Sequence, residues 1–215
     1  MKKRKLISFD LDSTLVDPGY TTSVWEIGIP RLYAKKHGVP LAEATAAVME
    51  AYERIGDGRL EWYDIRYWFE FFGLPARWEE LMAEHCHKIR AFPEVEEVLP
   101  ALAERYELMV LSNAAREFVE LELEGAHLGG YFTRAFSVTS DFGKLKKVPQ
   151  CYEHVLGFMG AAPSEVIHVG DHYEFDYVVP KSLGIEAYYL DRDGKRPKDD
   201  FTVKDLRDFA TLMLM

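Results

Sequence analysis

A chain of 215 residues has room for one ordinary domain, or for one domain that carries an insertion. Its 48% hydrophobic content is enough for a core, and a formal net charge of −10 argues against a nucleic-acid backbone or an anionic membrane as the main partner. A small anionic substrate is not excluded, because a metal at a site reverses the field locally.

No apolar stretch approaches the ~20 residues needed to span a bilayer. Asp10, Asp12 and Asp17 interrupt the apolar run that starts at Leu6, so the basic start, Lys2 to Lys5, does not lead into a signal-peptide core and reads as a solvated lead-in. Cys86 and Cys151 form no CxxC pair, which fits a reduced, cytoplasmic setting.

Taken in chain order, Leu6–Phe9 is a short apolar run ending in carboxylates and reads as a buried strand. A long helical stretch follows. Residues 20–37 have helical character that Pro30 is expected to break or kink. Residues 43–55 carry Ala47, Val48, Ala51 and Ile55 at helical spacing. Residues 60–72 read as one very aromatic helix stopped by Gly73 and Pro75, and 78–89 as another helix.

After Pro93 the rhythm changes. Helices are expected at 94–104, 115–124, Pro149–Met159 and 174–183, and strands at 108–111, 134–139, 166–169 and 187–190. Alternation of this kind predicts an α/β fold, a Rossmann-like parallel sheet with helices on both faces. The roughly 75 helical residues between the first strand and the rest far exceed a βα loop. The expected organisation is therefore an α/β catalytic core of residues 1–17 and 93–215, with an inserted α-helical cap at 18–92.

Four polar clusters each fall just after an expected strand. They are Asp10-Leu11-Asp12-Ser13-Thr14, Ser112-Asn113, the Lys144 to Lys147 region, and Gly170-Asp171 with Asp176 beyond. In a parallel sheet all four meet at one edge, where ligands of open α/β sheets bind. A lone Asp in such a place also serves as an ordinary helix cap, but capping does not explain the convergence.

On these motifs the chain resembles the haloacid dehalogenase superfamily, most of whose members are phosphatases. DLDST fits the family's first motif, DxDx[TV], with Ser13 where glycine is commoner. VLSN, ending at Asn113, fits the second, GKLKKVPQCY, from Gly143 to Tyr152, fits the third loosely, and GDHYEFD, ending at Asp176, fits the fourth. The usual Lys-Pro of motif three is absent; three lysines compete, and spacing favours Lys146 over Lys144 and Lys147. Phe175 stands where the family often has Asn.

The resemblance implies roles. Asp10 would be the nucleophile that forms an aspartyl-phosphate, and Asp12 the general acid and base. Ser112, Asn113 and Lys146 would hold phosphate oxygens. Mg²⁺ would be bound by Asp10, the Asp12 carbonyl and Asp171, with Thr14 and Asp176 supporting from behind. The expected activity is Mg-dependent hydrolysis of a small phosphate monoester by a monomer or small homo-oligomer. Dehalogenases of this fold lack the second motif-one aspartate, so Asp12 argues against them; a phosphomutase is less firmly excluded, and a non-catalytic binding module would not need both aspartates.

Two other features read as structural. His85 and His87, two apart on a helix, do not share a face and do not chelate one ion. The aromatic run from Trp62 to Phe72 is expected to be mainly helical core rather than substrate contact.

Overall fold

The computed structural model describes residues 5–146, 148–196 and 199–215, so Lys2, Lys3, Arg4 and Lys147 lie outside the described residues. The chain divides into two compact units. One comprises Met1–Asp17 and Ala91–Met215, the other Pro18–Arg90.

The first unit contains β1 (Leu6–Phe9). The second is wholly helical, with α1 (Gly19–Thr22), α2 (Ile29–His37), α3 (Leu41–Ile55), α4 (Ile65–Phe71) and α5 (Trp78–His85). The chain then returns to the first unit as α6 (Val95–Ala103), β2 (Glu107–Ser112), α7 (Arg116–Gly125), β3 (Arg134–Ser137), α8 (Val138–Phe142) and α9 (Pro149–Met159). It finishes with β4 (Val166–Gly170), α10 (Val179–Ser182), β5 (Glu186–Leu190), β6 (Thr202–Val203) and α11 (Leu206–Leu214).

The six strands form one sheet in the order β3-β2-β1-β4-β5-β6, with every pairing parallel. Strand periodicity sorts the core. Ile7 and Phe9 point to a layer built with Val98, Leu102, Phe209 and Met213 of α6 and α11. Leu6 points to the opposite layer, with Tyr152 and Val155 of α9 and Val179 of α10. Both faces are therefore covered by helices, as expected of a parallel sheet. Ser8 and His168 fall on the second face as buried polar residues among apolar neighbours.

Several element boundaries differ from expectation. Pro30 does not interrupt the winding: a π-helical turn at Ser23–Gly28 runs straight into α2, and the Trp25 carbonyl, five residues before the proline, accepts the Tyr52 hydroxyl. The aromatic segment is not one helix. A 3₁₀ turn (Leu60–Tyr63) stops at Asp64, whose carboxylate accepts the Arg66 amide at 2.9 Å and starts α4 afresh. Helix α5 ends at His85 and a 3₁₀ turn carries Cys86–Lys88. The strand expected through residue 139 ends at Ser137, which caps α8 by accepting the Ser140 amide. The segment expected as helix at 174–183 opens with a π-turn, Tyr173–Val178. Strand β6 and helix α11 were not anticipated: two residues are too short for a periodic signal, while Asp205 caps α11 through the Asp208 amide.

Within the helical unit, Tyr52 is the hub of an aromatic cluster. Its ring lies 4.5 Å from Trp68 and about equally far, 6.0 to 6.1 Å, from Trp62 and Trp25, and its hydroxyl donates to the Trp25 carbonyl. Trp68, Phe69 and Phe72 are buried, whereas Phe71 is half-exposed. His85 is buried beside Gly28 and Leu81, with no hydrogen-bond partner for either ring nitrogen among the described residues. His87 is a surface residue that meets the Glu84 carbonyl.

Burial holds the His85 imidazole below its ordinary range, with Lys88, Arg31 and His87 adding to this and Glu84 opposing it. The folded state thus binds fewer protons than the unfolded one as pH falls past about 6.5, so stability is lost on acidification. His85→Leu should therefore flatten the decline in melting temperature of this unit between about pH 7 and 5. Melts at several pH values check this; parallel profiles for the two proteins would contradict it.

Candidate active site

The site is built on register. Phe9 pairs with both Val110 and Val169, so the first residue beyond β1 falls between the carboxyl ends of β2 and β4. That residue is Asp10, whose amide donates to the Val169 carbonyl at 2.9 Å and whose carboxyl group is nearly buried. Lys146 donates from Nζ to Asp10 Oδ1, and to Asp176 Oδ1 at 2.7 Å. The Thr14 hydroxyl lies 3.4 Å from Asp10 Oδ2.

Of the competing lysines, Lys146 is brought into the cluster, with its side chain 2% exposed, while Lys147 lies outside the described residues. The side-chain oxygen of Asn113 accepts the Lys146 amide at 2.9 Å, which pins the lysine loop to the end of β2. Ser112 is buried, and its hydroxyl accepts the Ala114 amide at 3.0 Å.

Asp176 lies on the π-turn and is fully buried. Besides Lys146, its carboxylate meets His168 Nε2 at 3.0 Å and accepts the His172 amide at 3.0 Å. On its other side His168 Nδ1 faces the Ser8 hydroxyl, and the Tyr152 hydroxyl donates to the Phe175 carbonyl at 2.6 Å. Thus a polar chain runs beneath the sheet edge through Ser8, His168, Asp176 and Lys146 to Asp10. Asp171 follows β4 directly and is partly open to solvent.

The electrostatics follow from crowding. Burial, with the Asp176 carboxylate, raises Asp10 above the ordinary carboxylate range although Lys146 opposes it. Asp171 is pushed up to about 8 by burial and by the Asp10 and Asp176 carboxylates. Burial would also raise Asp176, but Lys146 and His168 outweigh it and hold this group low. Burial alone would depress Lys146; Asp10 and Asp176 overcome that and keep it charged.

Carboxylate oxygens of Asp10, Asp171 and Asp176 lie within 4.8 Å of one another. Three carboxylates sharing one lysine leave negative charge uncompensated, and an all-oxygen donor set of this kind suits a hard divalent cation.

Asp12 lies on the turn after Asp10. Its neighbour Ser13 has φ +59°, the left-handed region where glycine is at home, which costs a serine roughly 1–2 kcal/mol. Facing Asp12 is Glu122 of α7, 1% exposed, with no N–H or hydroxyl donor reaching either carboxyl oxygen among the described residues. Burial first, and then the Asp12 carboxyl group, raise Glu122 well above the carboxylate range.

A family model described as haloacid dehalogenase-like hydrolase matches residues 4–184. The chain belongs to that family. A Danio rerio haloacid dehalogenase-like hydrolase domain-containing protein 3 is 40% identical over 89 residues, a match spanning 40% of this chain and only 36% of that protein. An Escherichia coli GMP/IMP nucleotidase is 24% identical over 167 residues, covering 77% of this chain and 73% of the relative. Among solved structures, a haloacid dehalogenase family phosphatase from Thermococcus onnurineus superposes with a TM-score of 0.87 at 23% identity over 97% of both chains. A 2-haloacid dehalogenase from Pseudomonas syringae gives 0.71 at 22% identity over 98% of both chains. These structural likenesses establish the shared fold.

Ser8, Tyr152, His168 and Glu122 were not singled out in the sequence. Ser8 and His168 carried a faint signal, as polar residues inside expected buried strands. Glu122 carried none, because an acidic residue on an amphipathic helix reads as surface.

Gly170 is where the chain can least tolerate a side chain. A Cβ there would lie 2.5 Å from Asp176 Cγ, inside the buried ion cluster. Gly170→Ala should destabilise the first unit by roughly 2–4 kcal/mol and disrupt the site. Denaturant titration measures this; a loss under about 0.5 kcal/mol would show that Asp176 repositions freely.

Proposed function

We propose that this hydrolase is a magnesium-dependent phosphatase acting on small phosphate monoesters through an aspartyl-phosphate on Asp10. The observation that carries the reading is the pairing on one short turn of a buried, lysine-held carboxylate, Asp10, with a second carboxyl group, Asp12, two residues on. A hydrolase that displaces halide has no alkoxide to protonate and needs no second carboxyl group. The Thermococcus onnurineus phosphatase and the Escherichia coli nucleotidase are consistent with this reading, while the dehalogenase neighbours share the fold.

The residues divide the work as follows. Asp10 Oδ attacks phosphorus as the ester P–O bond breaks, and Asp12 gives its proton to the departing oxygen. Asp12 then takes a proton from the water that attacks the aspartyl-phosphate, releasing phosphate and restoring Asp10. Lys146, Ser112 and the backbone at Asn113 hold phosphate oxygens, and the lysine offsets the surrounding carboxylates. Asp10, Asp171 and the Asp12 carbonyl would hold Mg²⁺, with Asp176 and Thr14 behind them; when bound, the ion supplies charge neutralisation for the phosphoryl group.

The Pro18–Arg90 unit is inserted directly after the Asp10–Asp12 turn, which is the basis for assigning it the role of cap. The net charge of −10 gives no general attraction to nucleic acid, and we propose a polyol, sugar or hydroxy-acid phosphate as substrate ahead of a nucleotide. No helix among the described residues is long and apolar enough to cross a membrane. We assign the protein to the cytoplasm, as a monomer or small homo-oligomer.

Asp10→Asn should reduce kcat on an aryl phosphate by roughly 10³-fold or more with the fold retained. Asp12→Asn should instead accumulate phosphoenzyme, because an activated aryl group leaves without a proton while the water step still needs a base. Acid quench followed by hydroxylamine treatment detects that species. Activity of Asp10→Asn within tenfold of the parent removes the mechanism, and turnover of 2-haloacids but of no phosphate ester, GMP and IMP included, would favour the dehalogenase reading.

Metal binding has a test independent of turnover. Saturating Mg²⁺, at about 100 times Kd, stabilises a folded site by ~2.7 kcal/mol, which should raise the melting temperature by roughly 5–10 °C. In Asp171→Asn the shift should shrink to about 2 °C or less. Equal shifts in both proteins would take Asp171 out of the ligand set.

A further inference from the structure

One cation in the first unit is committed to backbone rather than to an ordinary surface pair. Arg192 follows β5, yet its guanidinium reaches the turn after β1, 179 residues earlier. Nε donates to the Ser13 carbonyl at 3.1 Å, and Nη2 to the Thr14 carbonyl at 2.8 Å. Nη1 donates to Glu94 Oε1 at 2.7 Å, and the guanidinium carbon lies 3.6 Å from the centre of the Phe92 ring. The Arg192 side chain is 19% exposed and that of Glu94 6%, so the arrangement is held largely away from water.

A planar fork on two successive carbonyls, with a third arm on a buried carboxylate and one face on an aromatic ring, fixes orientation as well as position. Among the described residues this is the arginine that holds two neighbouring carbonyls, and they belong to the residues just after Asp12. The turn needs such a restraint. Ser13 is a non-glycine residue in the left-handed region, and the amides of Thr14, Leu15 and Val16 all converge on the single Leu11 carbonyl, leaving the Ser13 and Thr14 carbonyls to find donors elsewhere. The same grip reaches the second crossing of the chain. Val16 bridges to Ala91, and the Phe92 amide donates to the Leu15 carbonyl at 3.0 Å, so Phe92 and Glu94 are tied to the far end of this turn.

Asp10 does not depend on that clamp, since the sheet holds it through the Val169 carbonyl and Lys146 holds its carboxyl group. Asp12 lies past the end of β1, and its backbone bridges to Val16 within the same turn that the Arg192 fork holds. We propose that Arg192, braced by Glu94 and Phe92, is a positioning residue that sets the turn at Ser13 and Thr14 so that Asp12 is aimed for proton transfer.

The inference rests on the phosphatase reading and deepens it. In the first step the Asp10 Oδ–P bond forms, the ester P–O bond breaks, and the Asp12 proton passes to the leaving oxygen, which departs as an alcohol. A well-stabilised leaving group such as p-nitrophenolate departs without that proton, whereas an alkoxide does not. Loss of Arg192 should therefore be selective by leaving group. A role in general stability would lower all rates alike.

The experiment compares wild type, Arg192→Met and Glu94→Gln in single-turnover phosphorylation, with a series running from p-nitrophenyl phosphate through phenyl phosphate to an alkyl phosphate. Methionine keeps an unbranched apolar stem against Phe92 and removes the donors. Arg192→Met should lose about 10–100-fold with the alkyl phosphate and less than about threefold with p-nitrophenyl phosphate. Glu94→Gln, which leaves the arginine in place with a weaker brace, should show a smaller loss graded in the same direction. Equal losses along the series, or none, in whichever of the two variants folds, would overturn the positioning role. A wild-type protein that hydrolyses no phosphate ester would instead overturn the phosphatase reading, and this inference with it.

Discussion

A buried ammonium between two buried carboxylates is the constraint on which this structure turns. Lys146, Asp10 and Asp176 are each almost wholly removed from water, and an isolated charge in such surroundings costs several kcal/mol. None of the three is tolerable alone, and removing one partner from a buried ion pair costs about 3–5 kcal/mol. The residues come from three separated parts of the chain, the end of β1, the loop before α9 and the π-turn after β4. The core must therefore close in a single register for the charges to be satisfied together. Arrangements of this kind favour a unique fold more than they add net stability.

The surrounding architecture supplies what the ion cluster needs. β1 occupies the middle of the sheet, so both of its neighbours end beside Asp10, and the alternation of strand side chains puts Ser8 and His168 on one face beneath Asp176. Asn113 fastens the lysine loop, and the absence of a side chain at Gly170 lets Asp176 approach the end of β4. The π-turn, one residue wider than an α-turn, sits where the carboxylate must reach inward. The second carboxyl pair, Asp12 with Glu122, is of another type: burial, with Asp12 adding to it, raises Glu122 well above the carboxylate range, and no lysine among the described residues joins the two.

Much of the fold was legible because it is written in periodicity. The buried runs at β1, β2 and β4, each followed by polar residues, specify a parallel sheet and the edge at which those residues meet. Asp10, Asp12, Ser112, Asn113, Asp171 and Asp176 could be named because strand ends are where such a sheet exposes its chemistry. Lys146 was favoured over its neighbours only by spacing, and the structure brings it into the cluster because Asn113 accepts its amide. Departures clustered where side chains cap backbone locally. Asp64 divides the aromatic segment and Ser137 ends a strand early, since a two- or three-residue hydrogen bond leaves no periodic trace.

The sequence by itself determined which residue types stand at the strand ends, and hence the class of chemistry, because carboxylates, a lysine and hydroxyls after buried strands have few structural uses in common. Tertiary structure alone decided how those groups are charged and aimed. Whether Glu122 is a surface acid or a buried one, with its carboxyl raised above the ordinary range, depends on what packs over α7. Whether Arg192 is a loop cation or a clamp on Ser13 and Thr14 depends on a contact across 179 residues. Burial and proximity set both outcomes, and neither is a property of a residue and its neighbours in sequence.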